Sequence, residues 1–174
     1  MIGVDFMEIK KNIKFLKLPK KRFEFRGQID DRNLYDDYAH HPNEIKETIK
    51  LGRLLIQQKH NNECQKNRLI AIFQPHRYSR VKQFTKEFAM ELSKADITYV
   101  TSIYGAGEEN EDKITSKIIT DLIYPQNNNV HYIDNYHDIT RNFYEFTKKG
   151  DLILNMGAGD CHNFWSILNK KTIK

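Results

Sequence analysis

Cysteine is scarce in this chain: Cys64 and Cys161 stand alone among 174 residues, with no Cys-x-x-Cys spacing. Neither a disulfide framework nor a cysteine-built zinc site is indicated. A reducing cytoplasm is the expected setting. Long apolar runs are missing. Nothing approaches the ~20 residues of a membrane span, and no signal-peptide pattern opens the chain. Gly-x-x-x-x-Gly-Lys-(Ser/Thr) is also absent, so there is no loop of that type to cradle phosphates. No internal repeat or low-complexity segment occurs.

What is there reads as one soluble domain. Hydrophobic residues make up 39% and charged residues 29%, a globular rather than a disordered composition. The length suits a single α/β domain with its own core, and not two. Net charge is +5. The excess gathers at the ends: Lys10, Lys11, Lys14, Lys17, Lys20, Lys21 and Arg22 in front, Lys170, Lys171 and Lys174 behind. A solvated basic surface is the plain reading, and attraction of anionic substrates is the functional one. No aromatic-interleaved basic stripe or helix-turn-helix pattern points to nucleic acid.

Strand and helix alternate along the chain. Residues 5 to 15 place Phe6, Ile9 and Ile13 on one side of a helix, and Leu18-Pro19 breaks it. Arg22 to Ile29 and Leu34 to Tyr38 read as strands around a polar turn, Asp30 to Asn33. Pro42 opens a helix running to about Lys59, since its missing amide hydrogen costs nothing at that position. Asn61 to Asn67 is a polar loop. Leu69 to Phe73 is a buried parallel strand. Ser79 is the expected N-cap of a helix carrying Val81, Phe84, Phe88 and Leu92. Ile97 to Ile103 is a strand, Ser116 to Ile123 a helix and Val130 to Ile133 a short strand. Ile139, Phe143 and Phe146 line one further helix. Leu152 to Met156 is the last strand, Gly157 to Gly159 a turn, and 162 to 169 a helix. The pattern predicts an α/β fold: a Rossmann-like three-layer sandwich, its mostly parallel sheet covered by helices on both faces.

Two heptapeptides carry the chemistry. Asp36-Asp37-Tyr38-Ala39-His40-His41-Pro42 and Gln74-Pro75-His76-Arg77-Tyr78-Ser79-Arg80 each follow a strand and precede a helix. That is the sheet edge where α/β proteins place ligands. Two acids, three histidines and two arginines converge there, a set suited to an anionic, hydroxyl-rich ligand such as a nucleotide. Asp37 can accept from vicinal ribose hydroxyls, or it can stabilise its turn by accepting from backbone amides. The side chain of Asp36 should point to the other face of the sheet. Arg77 and Arg80 can face one cavity and match carboxylate or phosphate in fork geometry. The alternative is a pair on the surface. His40 can donate to developing negative charge. Either histidine of the pair can instead cap or pack, and Tyr38 can line the site or the core. His76 reads as structural. Gly157-Ala158-Gly159 is weak evidence for a ligand, because such turns are often only tight turns. Glu108, Glu109 and Asp112 read as an acidic solvated loop rather than a cation site.

These two motifs resemble the nucleotide-binding turn and the arginine motif of the C-terminal domain of the Mur ligases, in the branch that adds L-alanine. Lys21-Arg22-Phe23-Glu24 resembles the hinge before that domain. Ile103 to Glu108 resembles a loop after its next strand, and Leu152 to Asp160 its last strand and turn. The ligase that recycles murein tripeptide shares a similar first turn but not the second motif in this form. The resemblance implies a Rossmann-like domain of an ATP-dependent ligase joining L-alanine to UDP-N-acetylmuramate in peptidoglycan synthesis. Arg22, Asp37 and His41 would then bind ATP. Tyr38, His40, Arg77 and Arg80 would hold alanine and the acyl phosphate, with His40, Arg77 and Arg80 the catalytic groups. Magnesium would be held mainly by a central domain, and no complete metal site is expected here. Mur ligases have three domains, and this chain resembles only the last. Residues 1–20 would be the end of a central-domain helix and the hinge, and 21–174 the C-terminal domain. The expectation is a fragment or split product that is inactive alone and partners the missing domains. The alternative is a non-catalytic nucleotide- or ligand-binding module that kept the fold.

Overall fold

The computed structural model describes residues 5–12, 20–59 and 67–172. The break expected at Leu18-Pro19 and most of the polar loop expected at Asn61 to Asn67 lie outside these. The elements are α1 (Phe6–Asn12), β1 (Glu24–Ile29), β2 (Arg32–Asp37), α2 (Pro42–Lys59), β3 (Leu69–Phe73), α3 (Tyr78–Leu92), β4 (Ile97–Val100), α4 (Lys117–Ile123), β5 (Val130–Tyr132), α5 (Tyr136–Arg141), α6 (Phe143–Phe146), β6 (Leu152–Met156) and α7 (Asn163–Thr172).

The strands form one sheet in the order β1-β2-β6-β3-β4-β5. Only β1 runs antiparallel to its neighbour. The sheet separates two cores. On one face Leu69, Ala71, Phe73, Leu152, Leu154 and Met156 meet Ile45 and Ile49 of α2, Val81 and Phe88 of α3, and Ile119 and Ile123 of α4. On the other, Ile70, Ile72 and Ile153 meet Tyr136 and Ile139 of α5, Phe143 of α6, and Phe164, Trp165 and Leu168 of α7. Both faces of β3 and β6 are covered, which is why these strands read as continuous apolar runs. The expected sandwich with helices on both faces is the observed fold.

Several boundaries differ from the sequence reading. The turn at Asp30 to Asn33 is only two residues: Asp30 and Asp31 both have positive φ, 45° and 63°. That is the twist a two-residue hairpin demands, and Asp tolerates it. β4 ends at Val100 rather than Ile103. The helix through Ile139 and Phe146 is two short ones, divided at Asn142. Helix α1 has no buried residue; Phe6 is 73% and Met7 58% exposed.

Connections set the crevice. β2 and β3 hand over to α2 and α3, which pack on one face, whereas β6 between them leads to α7 on the other. The chain therefore diverges on each side of β6, and the carboxyl ends of these three strands border a crevice where ligands bind in such sheets. The opposite edge is pinned by ion pairs. Arg68 donates to both oxygens of Asp151, at 3.0 and 2.6 Å, tying the start of β3 to that of β6. A two-pronged contact of this kind fixes orientation as well as charge.

Candidate functional site

The first motif is built around two carboxylates. Asp37 ends β2, is 8% exposed, and accepts from the backbone N–H of Phe23 and of Ala39, both at 2.7 Å. Burial raises the Asp37 carboxyl above its ordinary range, against the opposing effect of these amides. The turn-stabilising role is the one the geometry displays. The Thr48 hydroxyl is a third partner of this carboxylate. Phe23 and Lys21 take the left-handed backbone on either side of Arg22, and the Tyr38 amide donates to the Lys21 carbonyl at 2.7 Å. The hinge segment is thereby tied to the end of β2.

Glu44, which follows the first motif and was given no role from sequence, organises the start of α2. Its Oε2 accepts from the amides of His40 and His41, at 3.0 and 3.1 Å. It sits at the third helical position and reaches back to the cap, the glutamate half of a capping box. Its Oε1 meets Arg22 at 3.5 Å. Burial pushes the Glu44 carboxyl up, but the His40 and His41 contacts and Arg22 outweigh it and leave it below the usual range. Glutamate at that position was the signal available in the sequence.

From this base a row of rings crosses the crevice. Tyr38 and His40 lie edge-on at 5.1 Å, His40 and His76 at 5.7 Å, and His76 stacks on Tyr104 at 5.6 Å with 17° between planes. Tyr104 is held there by its backbone, which receives the Arg77 amide and donates to the Pro75 carbonyl, both at 2.8 Å. Arg80 Nη1 lies 3.1 Å from His76 Nδ1 and donates to the His76 carbonyl at 3.2 Å. Burial first, then Arg80, His40 and Arg77, lower the His76 pKa and so favour its neutral form. His76, read from sequence as structural, stands in the middle of the row.

The second motif departs from expectation in its cap. Arg77, not Ser79, precedes the helix, with φ 72° and ψ 133° and no side-chain cap. This left-handed geometry at a non-glycine residue is the kind of backbone strain that collects at functional sites. Ser79 lies inside α3. Its amide and hydroxyl donate to Glu108 at 3.0 and 2.7 Å, so an acid from another loop caps the helix. Arg77 Nη1 approaches the same carboxylate at 3.6 Å. These contacts, led by the Ser79 amide, hold Glu108 below the usual carboxylate range. Nothing in the sequence pairs positions 79 and 108.

The structure thus brings Tyr38, His40, His76, Arg80 and Tyr104 together and draws the Arg77 guanidinium to Glu108. His41 is set apart. Its ring packs edge-on against Phe84 at 4.8 Å and its Nδ1 accepts from the Asn43 amide at 3.4 Å. On the hinge side a cleft of about 430 Å³ is lined by Arg22, Phe23, Asp37, Asn43, Thr48 and Leu51, among others. Asp36 does point to the other face, where Asn155 donates to it at 2.8 Å. Among the described residues no three His, Cys, Asp or Glu side chains gather as a metal site, and no helix is long and apolar enough to cross a membrane.

The family model described as Mur ligase, glutamate ligase domain, matches residues 21–159. A UDP-N-acetylmuramate–L-alanine ligase from Prochlorococcus marinus subsp. pastoris is 62% identical over 175 residues, covering 99% of this chain and 37% of that protein. Another, from Synechococcus elongatus, is 37% identical over 164 residues, covering 91% of this chain and 34% of its own length. The chain therefore spans about a third of these relatives. Among solved structures, the UDP-N-acetylmuramate–alanine ligase of Thermotoga maritima superposes with a TM-score of 0.67 at 21% identity, over 87% of this chain and 30% of that one. A murein peptide ligase from Psychrobacter arcticus gives 0.65 at 22% identity, over 87% and 29%. At those identities the likeness establishes the fold.

Proposed function

The chain belongs to the Mur ligase family, as its C-terminal domain, and on that premise we propose that it supplies the amino-acid side and part of the nucleotide side of an ATP-dependent ligase joining L-alanine to UDP-N-acetylmuramate. The observation that carries this reading is the meeting of the two motifs across β6: the His40 and His76 rings lie 5.7 Å apart and Arg80 sits on His76.

In such a reaction the muramate carboxylate takes the γ-phosphoryl group of ATP and becomes an acyl phosphate. The alanine amine then attacks that carbonyl, and phosphate leaves. The protein's work is positioning and neutralisation of charge. Arg80 and Arg77 would receive the alanine carboxylate or the acyl phosphate in fork geometry. His40 and Tyr38 would border the same groups. The 430 Å³ cleft beside Arg22 and Asp37 has room for part of a nucleotide, with the Asp37 carboxylate as the acceptor for a ribose hydroxyl. His41, packed on Phe84, would act on ATP only by shaping the start of α2. Magnesium and the phosphate-binding loop would come from a central domain. The uncovered apolar face of α1, Phe6, Met7 and Ile9, would pack on that domain. The expected compartment is the cytoplasm.

The test is a chimaera: the Prochlorococcus ligase with this chain in place of its own C-terminal domain. Arg77→Ala and Arg80→Ala should each cost a charge-assisted contact of roughly 1.5–3 kcal/mol, about 10- to 150-fold in the alanine kcat/KM, with the KM for ATP little changed. Asp37→Ala should weaken ATP more than alanine. If neither arginine variant altered the alanine parameters, the amino-acid assignment would be wrong, whatever became of the family.

A further inference from the structure

The partners of the two imidazoles of the ring row set opposite roles for their Nδ1 atoms. His40 Nδ1 lies 2.8 Å from the Tyr38 carbonyl. A carbonyl only accepts, and Glu44 Oε2 lies 3.4 Å from the same nitrogen, so this Nδ1 carries a hydrogen. His76 Nδ1 lies 3.1 Å from Arg80 Nη1. A guanidinium only donates, so this Nδ1 is the acceptor and the hydrogen sits on Nε2. Tyr104 stacks on one face of the His76 ring and fixes its plane. Among the described residues the His76 contacts leave Nε2 with no acceptor.

We propose that His76 is a further site residue, an imidazole whose Nδ1 accepts from Arg80 and whose Nε2–H donates to a ligand oxygen in the crevice. This rests on the ligase reading above for the identity of the ligand. There the oxygen is the one that gains charge when an amine attacks an acyl phosphate. A neutral donor has an advantage beside Arg77 and Arg80: it adds a directed hydrogen bond without a third positive charge. Arg80 then has a second task, holding His76 in the donating tautomer, and Tyr104 keeps the ring in place.

Long-range ¹⁵N–¹H correlation on the ¹⁵N-histidine-labelled chain at pH 7.5 reads both tautomers directly. The expected result is His40 protonated at Nδ1 and His76 at Nε2, with Arg80→Ala letting His76 average between forms. A His76 that is cationic, or protonated at Nδ1, overturns the proposal. In the chimaeric ligase, His76→Phe keeps the stack on Tyr104 but removes the donor, so turnover should fall about 10²- to 10³-fold, the usual loss for one such donor. His76→Gln places an amide N–H near the former Nε2 and should recover at least tenfold of that. A His76→Phe enzyme that melts normally and turns over within threefold of the parent sinks the idea. The spectroscopic arm is independent of the reaction. If the His76 tautomer is as assigned and neither Arg77→Ala nor Arg80→Ala alters alanine use, the amino-acid assignment fails while the His76 donor stands.

Discussion

Adding one carbon at Gly159 tests how tightly the ring row is held. Gly159 follows β6, and its backbone is not left-handed, so alanine is conformationally allowed there and would even gain about 0.4–1 kcal/mol from a less flexible unfolded chain. Space decides against it. The new Cβ would lie 2.6 Å from Tyr104 Cγ, 2.9 Å from Tyr104 Cβ and 2.7 Å from Gln74 Oε1. Carbon atoms rest at about 3.5–4.0 Å, so Tyr104 must retreat by about 1 Å. Rotation about χ1 would move Cγ only by taking the ring off His76 and cannot move Cβ, and the Tyr104 backbone is bonded to Pro75 and Arg77. Gln74 is held too, donating to Asp160 at 2.5 Å. Overpacking of this sort costs typically 1–3 kcal/mol, more than the entropic gain. For a domain of this size each kcal/mol is worth roughly 2–4 °C in Tm, so Gly159→Ala should lower the calorimetric Tm by several degrees. As Tyr104 moves off the His76 ring, the His76 ring-proton shifts should change as well. A variant melting within 1 °C of the parent, with His76 unshifted, would refute the packing argument and loosen the claim that Tyr104 fixes His76.

The remaining expectations are briefer. Asp36 is buried with Asn155 as donor, and burial raises its pKa despite Asn155 and the adjacent indole of Trp165, whose N–H is not at hydrogen-bonding geometry. A raised folded pKa means that the favourable contribution is present at low pH and lost as pH rises through that value. Asp36→Asn should therefore stabilise the domain at pH 7, within the roughly 0.5–2 kcal/mol of ordinary stabilising changes, and the gain should vanish towards the aspartate reference of 3.8; urea melts at several pH values check this, and a loss at pH 7 contradicts it. Amides of α1 should exchange fast and those of β3 slowly, since α1 buries nothing and short helices are marginal without packing. Equal protection in hydrogen-exchange measurements would count against an exposed α1.

The strands and crossovers were legible because burial on both faces leaves uninterrupted runs such as Leu69 to Phe73, and because Pro42 and the helical spacing of Val81, Phe88 and Leu92 mark where helices lie. The two motifs were legible by position alone. What was not legible is how their charges are spent. Asp37 bonds two amides, Glu44 two more, and Glu108 caps a helix 29 positions earlier in the chain. Such contacts depend on where loops return in space. The Glu44 capping box had a local signature three residues after its cap. His76 and Arg80, four apart, had a weaker one, since that spacing brings side chains together at a helix start. Ser79 failed as a cap because the turn is closed one residue pair earlier, at Arg77, by the bond to Tyr104.

The acids of the site are thus anchors first, and this bears on how a ligand could enter. Arg22 leans on Glu44 at 3.5 Å and Arg77 on Glu108 at 3.6 Å, both with about half of the arginine side chain exposed. Exposed pairs of this kind contribute little, whereas a charge-assisted bond to a ligand carboxylate or phosphate is worth about 1.5–3 kcal/mol. The balance favours exchange: an arriving anion can draw either guanidinium away at a net gain. The acid left behind does not become an orphan, since Glu44 keeps two amides and Glu108 keeps Ser79. On the proposed ligase reading, Glu44 and Glu108 would hold the arginines near the crevice when no anion is bound and release them without unravelling α2 or α3.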